Sequence, residues 1–296
     1  MKRVYPFLTI LYVFALLVAP ASAADATLFA LKLWLMNVLP SLLPFFIGVE
    51  LLEKSGAFSF GARRLDGAAR LLLKCPGEAF AALLLSYAAG FPAGARIIAG
   101  LNNSGALTEN QARRLASFGA VSSPGFVLIG VGITMLGSER AGWLMLISHI
   151  LGAVITGTVF FTGAEEEKIA PRVEFPKQSA SNVISAAISK SGMAMIGVAT
   201  AMVLFTVINS VFFANSGITA CIFEMTAGCS FVAGLDIAFG VKTALACAVV
   251  SFGGLSIMIQ SLQFLGGVMP FGRYVLLKTV YALTSFALCL ALSAFL

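Results

Sequence analysis

Long runs of apolar residues, separated by short polar segments, make up most of this chain. Five of these runs cover about residues 4–22, 26–53, 141–163, 183–214 and 273–296. Each approaches or exceeds the roughly 20 residues that a helix needs to cross about 30 Å of hydrocarbon. The pattern therefore predicts an all-α polytopic membrane protein in which these runs are spanning helices.

Four further apolar stretches are interrupted by glycine, proline or polar residues. They cover 78–101, 116–137, 217–235 and 241–264. Proline removes a helix hydrogen-bond donor and glycine weakens a helix. Backbone groups freed at such a break are tolerated at membrane depth only when they are buried in protein or line a polar cavity. We predict re-entrant hairpins for the first and third stretches, and broken spans for the second and fourth.

The two broken spans share a motif. Ser117–Ser122 reads SFGAVS and Ser251–Ser256 reads SFGGLS, and each copy follows its hairpin by a similar interval. A six-residue match in such an apolar chain can arise by chance, but the shared order of elements favours a genuine repeat. Each half then has a span, a re-entrant hairpin, a broken span and a span, with an N-terminal helix before the first half.

The basic residues predict how the two halves lie in the membrane, because lysine and arginine favour the cytoplasmic side. Segment 54–77 contains five of them and is expected to be an interfacial amphipathic helix on that side. A polar stretch after Thr108 predicts an N-capped surface helix ending near Leu115. Three crossings per half is an odd number, so the second half is predicted to be inverted relative to the first.

The predicted domains follow from this topology. Residues 1–24 are a transmembrane helix or a signal segment, and the Ala21-Ser22-Ala23 pattern leaves cleavage open. Residues 26–163 form the first repeat, 164–180 a cytoplasmic linker, and 181–296 the second, inverted repeat.

Composition narrows the class of protein. Hydrophobic residues are 59% and charged residues 11% of the chain, whereas a soluble domain would need far more charge on its surface. The net charge of +6 indicates loops facing the cytoplasm and anionic lipid, not nucleic acid, because no basic stripe with interleaved aromatics occurs. The five cysteines have no CxxC or Cys/His spacing, so no metal site is predicted. We expect a multi-pass protein of the cytoplasmic (inner) membrane.

Broken helices paired in two halves predict a solute site between the repeats. The candidate residues are those at the breaks and the polar residues beside them: Gly90, Phe91, Pro92, Gly94, Ser122, Ser123, Glu224, Thr226, Gly228, Ser251, Ser256 and Gln260. Glu224 is the strongest candidate, because an ionisable group inside a membrane segment usually marks a functional site. It could bind a coupling cation (Na⁺ or H⁺), carry a proton or contact the solute. The alternative is a neutral carboxyl or one near the outer interface.

Other polar residues in the apolar segments have more than one interpretation. The serines could instead hydrogen-bond their own helices. His149, the sole histidine, could relay protons or only make a packing hydrogen bond. Arg96 could face an anionic ligand, although extension to the inner interface is favoured. Lys278 is expected at the inner end of its span.

Four motifs carry a resemblance to a known family. At Gly90–Ala95, Ser122–Gly125, Glu224–Gly228 and Ser251–Ser256 the chain resembles the YlbJ-type sporulation integral membrane proteins, which carry the nucleoside-recognition Gate domain. The likeness covers roughly residues 30–296 and keeps the motif order. That domain is also similar to parts of concentrative nucleoside transporters and ferrous-iron permeases. The resemblance implies a membrane protein connected in some bacteria with spore formation, and it identifies no substrate.

Two classes of function remain open. The first is a secondary transporter or permease-like protein for a small polar solute, nucleoside-like or other, and not an enzyme, since no catalytic constellation can be assembled. The alternative is a non-transporting assembly or sensor protein that docks partners through cytoplasmic helices at 54–77 and 106–116. The expected partners are the lipid bilayer and the solute, with no nucleic acid. Association into a homo-oligomer is left open.

Overall fold

A computed structural model of the chain describes residues 4–54, 66–67, 69, 77–119, 121–160 and 180–295. Throughout these ranges the regular structure is helical. In chain order the helices are α1 (Val4–Val18), α2 (Pro20–Leu33), α3 (Leu39–Lys54), α4 (Gly77–Ala89), α5 (Ala93–Asn103), α6 (Glu109–Phe118), α7 (Phe126–Met135), α8 (Glu139–Phe160), α9 (Ala180–Phe213), α10 (Gly217–Phe223), α11 (Met225–Ala233), α12 (Phe239–Phe252), α13 (Gly254–Leu265) and α14 (Phe271–Leu292). A π-wound turn over Trp34–Val38 joins α2 to α3, α7 is itself π-wound, and Ser293–Phe295 is a 3₁₀ turn.

Within the described ranges, five helical segments are long and apolar enough to cross a membrane. They are Pro20–Leu52, Glu139–Phe160, Ser181–Phe213, Phe239–Leu265 and Phe271–Leu292. Large apolar side chains on their outer faces are exposed, as expected where lipid replaces water. The prediction of an all-α polytopic membrane protein is confirmed.

The first long helix begins earlier than the sequence suggested. Instead of a span over 4–22 followed by another from 26, α1 ends at Val18 and Pro20 opens α2. Proline cannot continue a helix, because it lacks an N–H, but it fits the first turn of the next one. The boundary near residues 24–26 is therefore wrong, and the two helices meet at Ala19.

Residues 78–101 form two short helices and not one span. With 13 and 11 residues, α4 and α5 are about 20 Å and 16 Å long at 1.5 Å per residue, too short to cross hydrocarbon individually. They pack against each other on either side of a break at Gly90–Pro92, as predicted. The second hairpin is built the same way from α10 and α11. Its break is confined to Glu224, whereas Met225–Gly228, expected within it, already lies in α11.

The two motif copies occupy equivalent places in the fold. Ser117 and Phe118 are the last residues of α6, and Ser251 and Phe252 are the last residues of α12. The motif therefore ends a helix in each half. In the first half Pro124 and Gly125 are already helical, so the break lies just before them. The shared position supports a structural repeat, whose inversion in the membrane stays a prediction.

Helix α6 begins as predicted but is more buried than expected. The Thr108 hydroxyl accepts the Gln111 N–H (3.2 Å) and the Gln111 side chain accepts the Thr108 N–H (3.0 Å), which is a capping box. Arg114 is buried, and Arg113 Nε donates to the Val268 carbonyl (2.9 Å). The prediction that this helix lies exposed on the surface is therefore wrong, because one face of α6 packs against α8. The predicted helix over 54–77 lies almost wholly outside the described residues, and the linker 164–180 almost entirely so.

Long helices from both halves surround the hairpins. Helix α8 packs on α12 and α14, α5 packs on α13, and α9 runs along α2 and α3. The indole N–H of Trp34 donates to the Met195 carbonyl (3.2 Å), which ties the π-wound turn to α9. The helix breaks therefore lie inside the bundle, not against lipid.

Candidate functional site

The first hairpin break lies directly against the first broken span. Gly90 has φ +67°, a backbone conformation that residues with a side chain rarely adopt. A Cβ at Gly90 would collide with the backbone N of Ser123. Glycine is thus required both for the turn and for this close approach.

The second half repeats this arrangement, but there the glycines belong to the broken span and not to the hairpin. Gly253 separates α12 from α13 and Gly254 is the first residue of α13, with φ +81° and +72°. A Cβ on Gly254 would lie 3.1 Å from both the Phe223 carbonyl oxygen and the Met225 nitrogen, at the break of the second hairpin. In both halves, a hairpin break and a broken-span break are therefore in backbone contact.

Helix breaks from both halves meet at one small cavity of about 20 Å³, with room for little more than a water molecule, which we call the central cavity. Its lining includes, among the residues predicted from sequence, Phe91, Ser122, Ser123, Glu224, Thr226, Ser256 and Gln260. Apolar side chains of the π-wound turn, α3, α7, α9, α11 and α13 complete the wall: Val38, Leu42, Phe126, Val198, Met202, Met225 and Ile257. A mostly apolar wall with a few converging polar groups is the usual build of a small-molecule site.

The remaining predicted residues do not line the central cavity. Gly90 lies behind Ser123, as described above, and Pro92 faces a different cavity. Gly94 packs on Ser86 within the first hairpin, and Gly228 packs on Cys221 within the second. These two glycines let the arms of each hairpin approach closely.

Glu224 is buried, with 2% of its surface exposed, and holds the second hairpin in shape. Its backbone is extended between two helices, and its Oε2 accepts the Ala227 N–H (2.7 Å). Thr226, the second residue of α11, lies beside the carboxyl group. A carboxylate is favoured at a helix N-terminus such as that of α11. Glu224 therefore both caps α11 and presents its carboxyl group to the central cavity.

Gln260 connects the central cavity with a larger one, which we call the vestibule. The vestibule has a volume of about 760 Å³ and lies between α3, the first hairpin, α9 and α13. The Gln260 amide donates to the carbonyl and hydroxyl oxygens of Ser256 (both 3.2 Å), and its side chain lines both cavities. A solute entering from the vestibule would meet Gln260 before reaching Glu224.

Three charged residues converge in the vestibule wall. Arg96 of the first hairpin forms an ion pair with Glu50 of α3, and Lys190 Nζ of α9 lies 3.9 Å from the second Glu50 oxygen. Arg96 is therefore paired with Glu50 while 38% of its side chain remains exposed, and its extension to the membrane interface stays a prediction. Glu50 links three helices that belong to both halves of the chain.

His149 connects the two motif copies across the bundle. Its Nε2 accepts the backbone N–H of Ser122 (2.9 Å), and its Nδ1 lies 2.8 Å from the Ser251 hydroxyl. Because Nε2 is an acceptor, the proton of a neutral imidazole is on Nδ1, which then donates to Ser251. The sequence had left a proton relay and packing open, and the observed bonds show a buried cross-link between the halves.

Replacing His149 with alanine is expected to lower the thermal stability of the protein strongly. The Ser122 N–H and the Ser251 hydroxyl would each lose a partner, at a cost of about 1–3 kcal/mol apiece. Thr158→Val on the same helix is the matched control, because that threonine is exposed and bonds its own helix (2.7 Å to Ile155 O). Thermal unfolding in detergent should show a lower midpoint for His149→Ala only. Equal midpoints would mean that the cross-link contributes no stability.

The burial of Lys278 is not predicted by the sequence. Its side chain, expected at the inner end of its span, is fully buried (0% exposed) inside the bundle. The signal was available, because Lys278 is the eighth residue of α14 and a charged residue at that depth is costly. It lies beside Tyr281, whose hydroxyl donates to the His149 carbonyl (2.9 Å).

Comparison with known proteins bears on what this site is. Residues 35–139 match the Gate family model, which is described as nucleoside recognition. The chain is also similar to the sporulation integral membrane protein YlbJ of Bacillus subtilis (strain 168), with 27% identity over 311 residues, covering 89% of this chain and 76% of the relative. The resemblance is confirmed. No solved structure matches the chain.

The Gate match contains six of the fourteen residues that line the central cavity. It runs from the π-wound turn through the first hairpin to the end of α7, and so includes Phe91, Ser122 and Ser123. The cavity residues of the second half, including Glu224, lie outside this match. Their assignment to the site rests on their position in the fold.

Proposed function

We propose that this protein is a secondary transporter, or a permease-like protein, for a small polar solute that binds in the central cavity. The observation that carries the proposal is the meeting of helix breaks from both halves at one cavity, which is small in this structure and must widen to admit a solute. Paired discontinuous helices at membrane depth are typical of transporter binding sites. Serine, threonine and glutamine side chains beside them offer hydrogen bonds to the solute, which is not expected to be chemically changed.

The charges of the vestibule bear on the kind of solute. Arg96 and Lys190 carry two positive charges against one negative charge on Glu50, among the described residues that line it. A cavity of one charge sign concentrates solutes of the opposite sign. The name of the Gate family suggests nucleosides, whereas the vestibule favours solutes with an anionic group, and both classes need testing.

The fold also offers a way to expose the site to one side at a time. The first hairpin turns at Gly90 and the second at Glu224, while the long helices around them pack extensively on one another. Movement of a hairpin, or rocking of one half against the other, would open the central cavity alternately. On the predicted topology the vestibule opens to the cytoplasm, and the membrane is the cytoplasmic one.

Binding and flux measurements test the proposal. Purified protein is screened by thermal shift against nucleosides, carboxylates, amino acids and divalent metals, since a ligand raises the midpoint by mass action. A stabilising solute is then followed into proteoliposomes, with Ser256→Ala as the site variant and exposed Ser185→Ala as its control. We expect flux to fall by roughly 5- to 15-fold for Ser256→Ala, the value of one hydrogen bond of about 1–1.5 kcal/mol, and to stay unchanged for Ser185→Ala. Wild-type flux in the Ser256 variant would exclude the central cavity as the route.

A second candidate is a non-transporting assembly protein, favoured by the relative's name, which records sporulation and no solute. It would dock partners through basic cytoplasmic segments, of which 54–77 is the stronger, because Arg113 and Arg114 of α6 are turned into the protein. Charge reversal at Arg63 and Arg64, compared with Glu224→Gln, separates the two functions in the native host. Loss of phenotype only with the arginine changes would favour docking.

A further inference from the structure

A fully buried lysine lies next to the first hairpin break, outside the central cavity. The Lys278 ammonium nitrogen is 4.1 Å from the centre of the Phe91 ring and 4.9 Å from that of Tyr281. Aromatic faces attract cations, and more strongly where water is excluded. The side chain therefore extends from α14 toward the break and not toward either end of its own helix.

Two broken helices end beside this ammonium group. Helix α4 ends at Ala89, two residues before Phe91, and α12 ends at Phe252. A Cβ on Gly253, the next residue, would lie 3.6 Å from Lys278 Cε. The C-terminal end of a helix carries a partial negative charge and carbonyl groups without helical partners. A positive charge is therefore favoured at this point.

Secondary transporters built from broken helices often place a diffusible cation there, coordinated by half-helix C-termini. We propose that Lys278 is a tethered cation that takes this place between α4 and α12, and that the protein therefore works without Na⁺. The inference rests on the proposed transport function and specifies its coupling. A covalently attached ammonium would neutralise these helix ends without a bound ion.

Lys278 acts behind the solute site, as a positioning residue. Phe91 separates the two, since it lines the central cavity and also carries the ammonium over its ring. On the other side Tyr281 contacts the His149 ring (centroids 5.1 Å apart), so the lysine belongs to the same buried layer that connects the two motif copies. Its charge thus fixes the position of the hairpin break that the solute contacts.

The test replaces the tethered cation by a free one. Thermal unfolding of the full-length protein is measured in NaCl and in choline chloride at equal ionic strength. Wild type should show the same midpoint in both salts. Lys278→Ala, which removes the charge and leaves space, should unfold earlier in choline and regain about 2–4 °C in Na⁺. Lys278→Met, which removes the charge but fills the space, should not respond to Na⁺.

The controls separate this inference from the proposed function. Lys242→Ala, a partly exposed lysine of α12, should show no sodium response. A wild type that is itself stabilised by Na⁺, or a Lys278→Ala variant with no recovery in Na⁺, would overturn the tethered-cation role. If Lys278→Ala does not fold, the wild-type comparison still decides. Since no arm requires solute flux, a failed transport assay would count against the proposed function alone.

Discussion

Glu224→Gln is expected to reduce solute flux by roughly 10- to 100-fold while leaving the fold intact. Glutamine keeps an oxygen that can accept the Ala227 N–H, so α11 retains its cap. What is lost is the charge, and a buried hydrogen bond to a charged group is worth about 1.5–3 kcal/mol. The change therefore separates the role of Glu224 at the central cavity from its role in the hairpin.

Flux into proteoliposomes measures this effect, and thermal unfolding of the same preparation confirms that the variant is folded. Asp236→Asn is the matched control, because that aspartate is exposed at the end of the second hairpin. It should transport as wild type does. Wild-type flux in Glu224→Gln would mean that this residue serves only as a helix cap and that its charge has no role in transport.

Gly90→Ala is expected to have the largest effect on stability. The substitution puts a side chain on a residue with φ +67° and forces it against the Ser123 backbone. The backbone strain costs about 1–2 kcal/mol and the displaced contact a further 1–3 kcal/mol. The hairpin must move away from the first broken span, so the central cavity should lose its shape together with the stability.

Gly100→Ala provides the comparison for this variant. Gly100 lies in α5, on the same hairpin, with no atom within 4 Å of an added Cβ. Alanine is the better helix former there, so the variant should be as stable as wild type or slightly more so. Thermal unfolding of both proteins in one detergent gives the difference directly. Similar midpoints for the two variants would mean that the close approach of hairpin and broken span is not required.

The elements of the fold were largely predictable because each has a local cause. Hydrophobic length marks the spans, and Gly90 with Pro92 marks the first hairpin break, since both residues disfavour a helix wherever the chain places them. The N-cap at Thr108 is likewise a matter of a few neighbouring residues. Boundaries were less accurate. The second helix begins at Pro20, a few residues before the boundary that the sequence predicted.

The site was predicted in part. Choosing polar residues at breaks found Ser122, Ser123, Glu224 and Ser256, which all line the central cavity. The same rule could not tell Gly94 and Gly228, which pack hairpin arms together, from glycines beside a ligand. That distinction depends on which neighbour each glycine faces, and neighbours on other helices are not encoded locally.

The order of apolar runs and breaks is a property of the local sequence, so the membrane helices, two hairpins, two broken spans and repeated motif could be predicted without a structure. Contacts between distant segments could not be predicted in this way. Lys278 looked like an interfacial lysine and proved to be buried over Phe91, and His149 looked like a lone histidine and proved to join Ser122 to Ser251. Packing fixed both outcomes, because the free energy of a buried polar group depends on partners that only the folded bundle brings within hydrogen-bonding distance.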